Sequence, residues 1–238
     1  MIPAIDVYRN VLGKLQYEST TSITPSEFND AAKWAIITFV ELRHKLFESH
    51  QSITDALQVL KTEVELTPSI AGVINLPADY LHLTAVAAVV KYFGEPCITN
   101  GTLSDYIACL PLTDDEKELV LGKALSNYYT RPRAQFQRAR YELRNNELRF
   151  HLGASILQKA RISYLRVPQF IELDDQENSI VNSEFSYPAT ADIEDLIVAR
   201  HLGKAEEAKV QWQMMWNNQN LVTTGIPTGM PTQPINNG

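Results

Sequence analysis

Cysteine is almost missing from this chain of 238 residues, which holds only Cys97 and Cys109. Two thiols exclude a disulfide framework and, without clustered histidines, a zinc site, so both are read as reduced packing residues. No stretch approaches the roughly 20 uninterrupted apolar residues of a membrane helix, so no membrane partner is expected. Glycine numbers only 10, few for loops that cradle phosphate, and GxGxxG, GxxxxGK[ST] and GxSxG are all absent. His44, His50, His82, His151 and His201 fall on separate segments with no HExxH among them. The carboxylate groups Asp114-Asp115-Glu116 and Asp174-Asp175 are explained by a helix cap and a polar turn. No catalytic residue, cofactor or metal ligand is expected, and the chain is read as a non-enzyme. The first six residues lack the basic and apolar regions of a secretory leader, which points to synthesis in a cytoplasm.

What is present is an ordinary globular composition, with 45% hydrophobic and 21% charged residues, long enough for one large domain or two small ones. The formal charge is −7, which argues against a general nucleic-acid binder. Its distribution is uneven. Residues 131 to 166 carry nine basic side chains against Glu142 and Glu147, a local +7 that leaves −14 for the rest. A basic block on an acidic body suits head-to-tail contact between copies, or contact with an acidic partner.

Ile5, Tyr8, Leu12 and Leu15 recur at helical spacing behind Pro3 and predict an amphipathic helix over residues 3 to 17. Thr24-Pro25-Ser26-Glu27 is a capping box with proline at the first helical position, opening a second helix with apolar residues on more than half of its circumference. Ser52-Ile53-Thr54-Asp55 opens a third, through Leu57 and Leu60, that ends before Pro68. The period then changes. Gly72-Val73-Ile74-Asn75-Leu76-Pro77 reads as a short strand, and the run over residues 81 to 90 as a buried one. Gly94, Pro96, Gly101 and Pro111 make residues 94 to 112 read as an irregular excursion. Thr113-Asp114-Asp115-Glu116 caps a helix over residues 116 to 125.

Asn145-Asn146 separates two alternating runs, and asparagine tolerates the left-handed conformations of a two-residue hairpin turn. The register follows. Arg144 faces Glu147, Leu143 faces Leu148, Glu142 faces Arg149, Tyr141 faces Phe150 and Ala139 faces Leu152, with one face apolar and the other pairing opposite charges. A third strand over residues 156 to 167 puts Ile156, Ala160, Ile162 and Tyr164 on one face, and Lys159, Arg161 and Ser163 on the other. The basic block thus becomes the outward face of a small antiparallel sheet. Pro188 closes a loop, and Thr190-Ala191-Asp192 opens a last helix, with Asp192, Glu194 and Asp195 in its first turn, that runs to about Trp216. No charge follows Lys209, and Leu221, Val222, Ile226, Met230 and Ile235 punctuate a polar tail that reads as an extended docking arm.

The expected fold class is α+β: N- and C-terminal helices forming a helical bundle, a small antiparallel β-sheet insertion and an extended C-terminal arm. The expected parts are N-terminal helices over 1–68, a β-rich insertion over 69–188 with a short helix near 114–125, a C-terminal helix over 189–216 packing on the first helices, and the arm over 217–238, as one compact domain overall.

Gly72-Val73-Ile74-Asn75-Leu76-Pro77-Ala78-Asp79-Tyr80-Leu81-His82-Leu83 belongs to a wider pattern. It includes Arg131-Pro132-Arg133, the asparagine hairpin, Ile162-Ser163-Tyr164-Leu165-Arg166-Val167-Pro168 and Ile193-Glu194-Asp195-Leu196-Ile197-Val198. Over roughly residues 70 to 215, this pattern resembles structural proteins of crAss-like tailed bacteriophages that form the ring or head-to-tail connector stack under the portal. The layout is also similar to phage adaptor and gatekeeper proteins. The resemblance implies a virion location and a twelvefold homo-oligomeric ring contacting the portal and neighbouring ring or tail proteins. It also implies that genomic DNA passes through the channel without sequence-specific binding. On this reading Arg131, Arg133, Arg138, Arg140, Arg149, Lys159 and Arg161 form a subunit or ring interface, and Leu221, Val222, Ile226, Met230 and Ile235 anchor the arm. The alternative is a nucleic-acid-binding accessory protein that uses the basic sheet face.

Overall fold

A computed structural model describes residues 1–18, 22–91, 106–112, 139–152, 156–204, 207–211 and 214. Helix α1, Ala4–Glu18, buries Ala4, Val7, Tyr8, Val11 and Leu15. Its apolar stripe is therefore rotated by one residue from the one centred on Ile5 and Leu12, which lie on the flank. Two of its leading amides, which have no partner inside the helix, are satisfied from elsewhere: Ala4 N–H donates to Asn182 Oδ1 at 3.1 Å and Ile5 N–H to Ser179 Oγ at 3.0 Å. Helix α2, Pro25–Arg43, starts at the expected capping box, with Thr24 and Glu27 satisfying each other's backbone amides. It buries Phe28, Ala31, Ala32, Ala35, Ile36, Phe39 and Val40, as a helix packed on two sides must. Helix α3 is short, Gln51–Leu57.

The last described long helix, α4, spans Tyr187–His201. Its start corrects the sequence reading: Ser186 is the N-cap and Pro188 lies in the first turn, where a missing N–H costs nothing. Its end is also earlier than Trp216. Gly203, at φ +71°, donates to Arg200 O, and Lys204 N–H reaches Ala199 O at 2.8 Å. These are the paired bonds of a Schellman stop, which needs a left-handed residue.

The chain divides into two units, Met1–Ala56 with Pro168–Gly238, and Leu57–Val167. In the first, α4 packs on α2 and α1. A two-stranded ribbon, whose strands Glu172–Leu173 and Ser179–Val181 are β8 and β9 below, packs beside α1 and α2. Asp174 closes the ribbon's turn by accepting from Gln176 N–H and Asn178 N–H.

The second unit overturns the expected architecture. It is a seven-stranded sheet curled into a half-barrel, in the order β1-β7-β3-β4-β5-β6-β2. The strands are β1 Lys61–Leu66, β2 Val73–Asn75, β3 Tyr80–Lys91, β4 Ile107–Pro111, β5 Ala139–Arg144, β6 Glu147–His151 and β7 Ile156–Arg166. It is no small antiparallel insertion, because β4 and β5 run parallel and the sheet dominates the described structure. Two unrecognised strands enlarge it. Lys61-Thr62-Glu63-Val64-Glu65-Leu66 is β1 rather than the approach to Pro68, and Ile107-Ala108-Cys109-Leu110-Pro111 is β4 rather than irregular chain. The parallel β4–β5 pair needs a crossover, for which residues 112–138 supply the length. The helix expected over 116–125 lies there, outside the described residues.

Register shifts at Tyr80/His82, Leu83/Ala85 and Val89/Val90 break the β3–β7 ladder. Such bulges bend strands and increase twist, which lets one face close on itself. Ile74, Val86, Ala88, Cys109, Tyr141, Leu148, Phe150, Leu157, Ala160, Ile162 and Tyr164 share that buried face. The bulge at Gln158 puts Leu157 inside and leaves Ile156 exposed, the reverse of simple alternation. The asparagine hairpin has the anticipated register from Arg144↔Glu147 to Tyr141↔Phe150. Asn145 and Asn146 are both left-handed, at φ 43° and 66°, as a type I′ turn requires. Leu143, next to the turn, is exposed.

Candidate functional site

Strand alternation sends every second side chain of the curled sheet away from the core. On β1, Lys61, Glu63 and Glu65 are exposed while Thr62, Val64 and Leu66 are half-buried. The ladder places Glu65 opposite Arg161 and Ala87, in turn, opposite both Arg161 and Ala108. Ala85, Ala87 and Ala108 form a low floor between two charged ridges.

The first ridge joins β1 to β7. Lys159 Nζ lies 2.9 Å from Glu65 Oε1 and Arg161 Nε 3.2 Å from Glu63 Oε1. Tyr106, just before β4, reaches across the alanine floor and donates its hydroxyl to Glu65. The Arg161 guanidinium lies 4.2 Å and the Lys159 ammonium 5.3 Å from the Tyr106 ring centroid. The second ridge is the β5–β6 hairpin, where Arg144 pairs with Glu142, Arg149 with Glu147 at 3.2 Å, and His151 Nε2 lies 3.6 Å from Glu142. Arg140 donates to Pro111 O at 3.2 Å.

The structure therefore changes the meaning of the basic block. Arg149, Lys159 and Arg161 project outward as expected, but each lies against a carboxylate of its own sheet. Two of these carboxylates, Glu63 and Glu65, come from β1. The alternation of Lys61-Thr62-Glu63-Val64-Glu65-Leu66 carried that signal. Arg131, Arg133, Arg138, Leu221, Val222, Ile226, Met230 and Ile235 lie outside the described residues. Each exposed ion pair stabilises by only about 0.2–1 kcal/mol, yet each sets a carboxylate beside a base and so offsets its charge locally.

The chemistry beneath this face is quiet. Burial pushes the Cys109 thiol up to about 12, far from the thiolate a nucleophile needs. Burial also raises Tyr80, Tyr141 and Tyr164, the last donating to Asp79 Oδ1 at 3.0 Å. Among the described residues no group of three or more His, Cys, Asp and Glu could hold a metal ion.

In the helical unit the polar groups lock helices together. Arg43 Nη2 meets Asp192 Oδ2 at 2.6 Å, and Lys14 Nζ meets Glu194 at 3.0 Å and Asp195 at 2.7 Å. Asn10 donates to Glu194 at 2.9 Å. Because α4 begins at Tyr187, these three acids lie past its first turn and serve partner helices rather than the helix dipole. No protein-family model matches the sequence, and no curated protein matches it either.

Proposed function

We propose that this chain is a structural subunit of a phage head-to-tail connector ring, linking the portal to the tail around the DNA channel. The observation that carries the reading is the division of charge between the two units. The residues of the helical unit hold 8 basic and 17 acidic side chains, a formal −9, whereas those of the sheet unit hold 13 and 11, a formal +2. A strongly acidic unit repels a DNA backbone, which suits the wall of a channel through which DNA slides. The near-neutral unit supplies surface for neighbours. The sequence resemblance over residues 70 to 215 supports the same class, and the uncharged residues 217–238 suit an arm reaching a neighbouring ring. The alternative, nucleic-acid binding through the sheet face, has less support because Arg149, Lys159 and Arg161 already face carboxylates.

Sedimentation velocity of the full chain, alone and mixed with the portal ring of a crAss-like phage, tests the proposal. A closed ring, free or on the portal, is the expected species. A chain that stays monomeric in both conditions, or that binds duplex DNA tightly at low salt, overturns it.

A further inference from the structure

Between the C-terminal turn of α1 and the end of α4 lies an open groove of about 590 Å³. Its position follows from the glycine stop. Once Gly203 ends α4, residues 207–211 form another short stretch of helix. Lys209 lies 5.2 Å and Arg200 4.8 Å from the ring centroid of Trp34 on α2, which holds that stretch in place. Val198, Ala199, Leu202 and Ala208 line the groove, and Tyr17 stands at its rim. The charges around it balance, with Lys14 and Lys204 against Asp195 and Glu207. Tyr17 at the rim is 94% exposed, an uncovered aromatic ring beside a groove of the size that takes ligands and side-chain anchors.

We propose that this groove is the seat of the chain's own C-terminal segment, residues 217–238. Three observations select that occupant. The last described residue, Met214, lies just past the stretch that lines the groove, and 24 residues follow it. Those residues carry no charge, so they can seat without repulsion from the acidic unit and without leaving a charge unpaired against the balanced rim. They also present Leu221-Val222, Ile226 and Met230, apolar anchors of the kind a small groove buries. An acidic ligand would meet the −9 of this unit, and a basic one would find Asp195, one of the two carboxylates lining the groove, already engaged by Lys14. The inference rests on the reading of 217–238 as a docking arm and assigns the surface that receives it.

The test uses the full chain with Tyr17 replaced by photoreactive benzoylphenylalanine, as an equal mixture of heavy-isotope-labelled and unlabelled copies. After irradiation, adducts are mapped by mass spectrometry and the assembly state is read in parallel. Adducts on residues 217–238 are expected, falling about tenfold or more, the equivalent of about 1.4 kcal/mol, on introducing Leu221→Asp with Val222→Asp. Ala199→Arg should lower them similarly. The tail pair lies outside the described residues, so its result is read independently of whether Ala199→Arg folds. Adducts confined to other segments, or a yield indifferent to the tail pair, overturn the inference. Adducts joining labelled to unlabelled copies support both the groove and the ring. Adducts within single copies support the groove and remove the arm from ring assembly. Rings that form without tail adducts overturn the groove and leave the connector reading standing.

Discussion

The pair Arg43–Asp192 should behave asymmetrically, and the asymmetry tests how the helical unit is held together. Arg43 ends α2 and is only 4% exposed, whereas the Asp192 side chain on α4 is 33% exposed. The guanidinium stacks 3.8 Å from the Phe39 ring centroid as well as meeting Asp192 at 2.6 Å. Burial lowers the Arg43 pKa, and Asp192 opposes that shift. Removing each partner therefore leaves a different residue behind. Asp192→Asn leaves a buried guanidinium facing a neutral amide. Breaking a buried pair this way costs about 3–5 kcal/mol, and the low end applies because the amide oxygen still accepts. Arg43→Met keeps most of the stem packing and leaves Asp192 able to rehydrate, at a cost of about 1 kcal/mol from the lost hydrogen bond and ring contact. Urea unfolding followed by tryptophan fluorescence reads the difference, since Trp34 lies on α2 of the helical unit. A gap of about 2 kcal/mol moves the midpoint by roughly 1 M. Equal midpoints for the two variants, or a larger loss in Arg43→Met, would refute the reasoning.

Three further outcomes are expected. Asn145→Ala and Asn146→Ala should each destabilise the sheet unit by about 1–2 kcal/mol, because alanine resists the left-handed φ of both positions; hydrogen exchange of β5 and β6 measures this, and an unchanged rate counts against the type I′ turn. Hydrogen bonds from Thr24 hold the Glu27 carboxyl below its ordinary 4.5, and hydrogen bonds from Asn178 and Gln176 hold Asp174 below 3.8. Their contributions are present above those ordinary values and are lost as pH falls through the folded-state values. Glu27→Ala should thus lower the melting temperature at neutral pH by an amount that shrinks below pH 4.5, and a constant gap would contradict the capping assignment. Cys109 should resist thiol reagents at neutral pH in a Cys97→Ala background until the protein unfolds, and rapid native labelling would contradict its burial.

The hairpin was legible because all its determinants are local: two asparagines, alternating apolar residues, and opposite charges that only one register aligns. The capping box of α2 was legible for the same reason. Strands β1 and β4 were not. Each depends on partners distant in sequence, and β1 pairs with β7 across most of the sheet unit. Lys61-Thr62-Glu63-Val64-Glu65-Leu66 holds just two large apolar residues, and β4 ends on a proline and follows a stretch broken by Gly94, Pro96 and Gly101. With both missing, the sheet looked small and the arginine face looked unopposed. The start of α4 was misplaced because Ser186 and Thr190 both carry cap chemistry, and Pro188 suits a first turn as well as a loop. Its end could have been read from Gly203.

The same compensation separates the two surfaces proposed for contact between copies. The sheet-face pairs are exposed, so a neighbour can exchange them for its own at a cost of only about 0.2–1 kcal/mol each. An interface made this way is electrostatic in origin and weakens as the Debye length falls from about 14 Å at 0.05 M salt to about 4 Å at 0.5 M. Contact through residues 217–238 involves no charge on the arm, and salt strengthens apolar burial if it acts at all. Sedimentation velocity at these two salt concentrations therefore assigns the contact. Dissociation at the higher concentration places the interface on the ridges of Glu63, Glu65, Lys159 and Arg161, and Arg161→Glu should then disrupt assembly at low salt. An assembly indifferent to salt but lost on Leu221→Asp places it on the arm. Salt-resistant assembly that also survives Leu221→Asp would show that neither surface joins the copies.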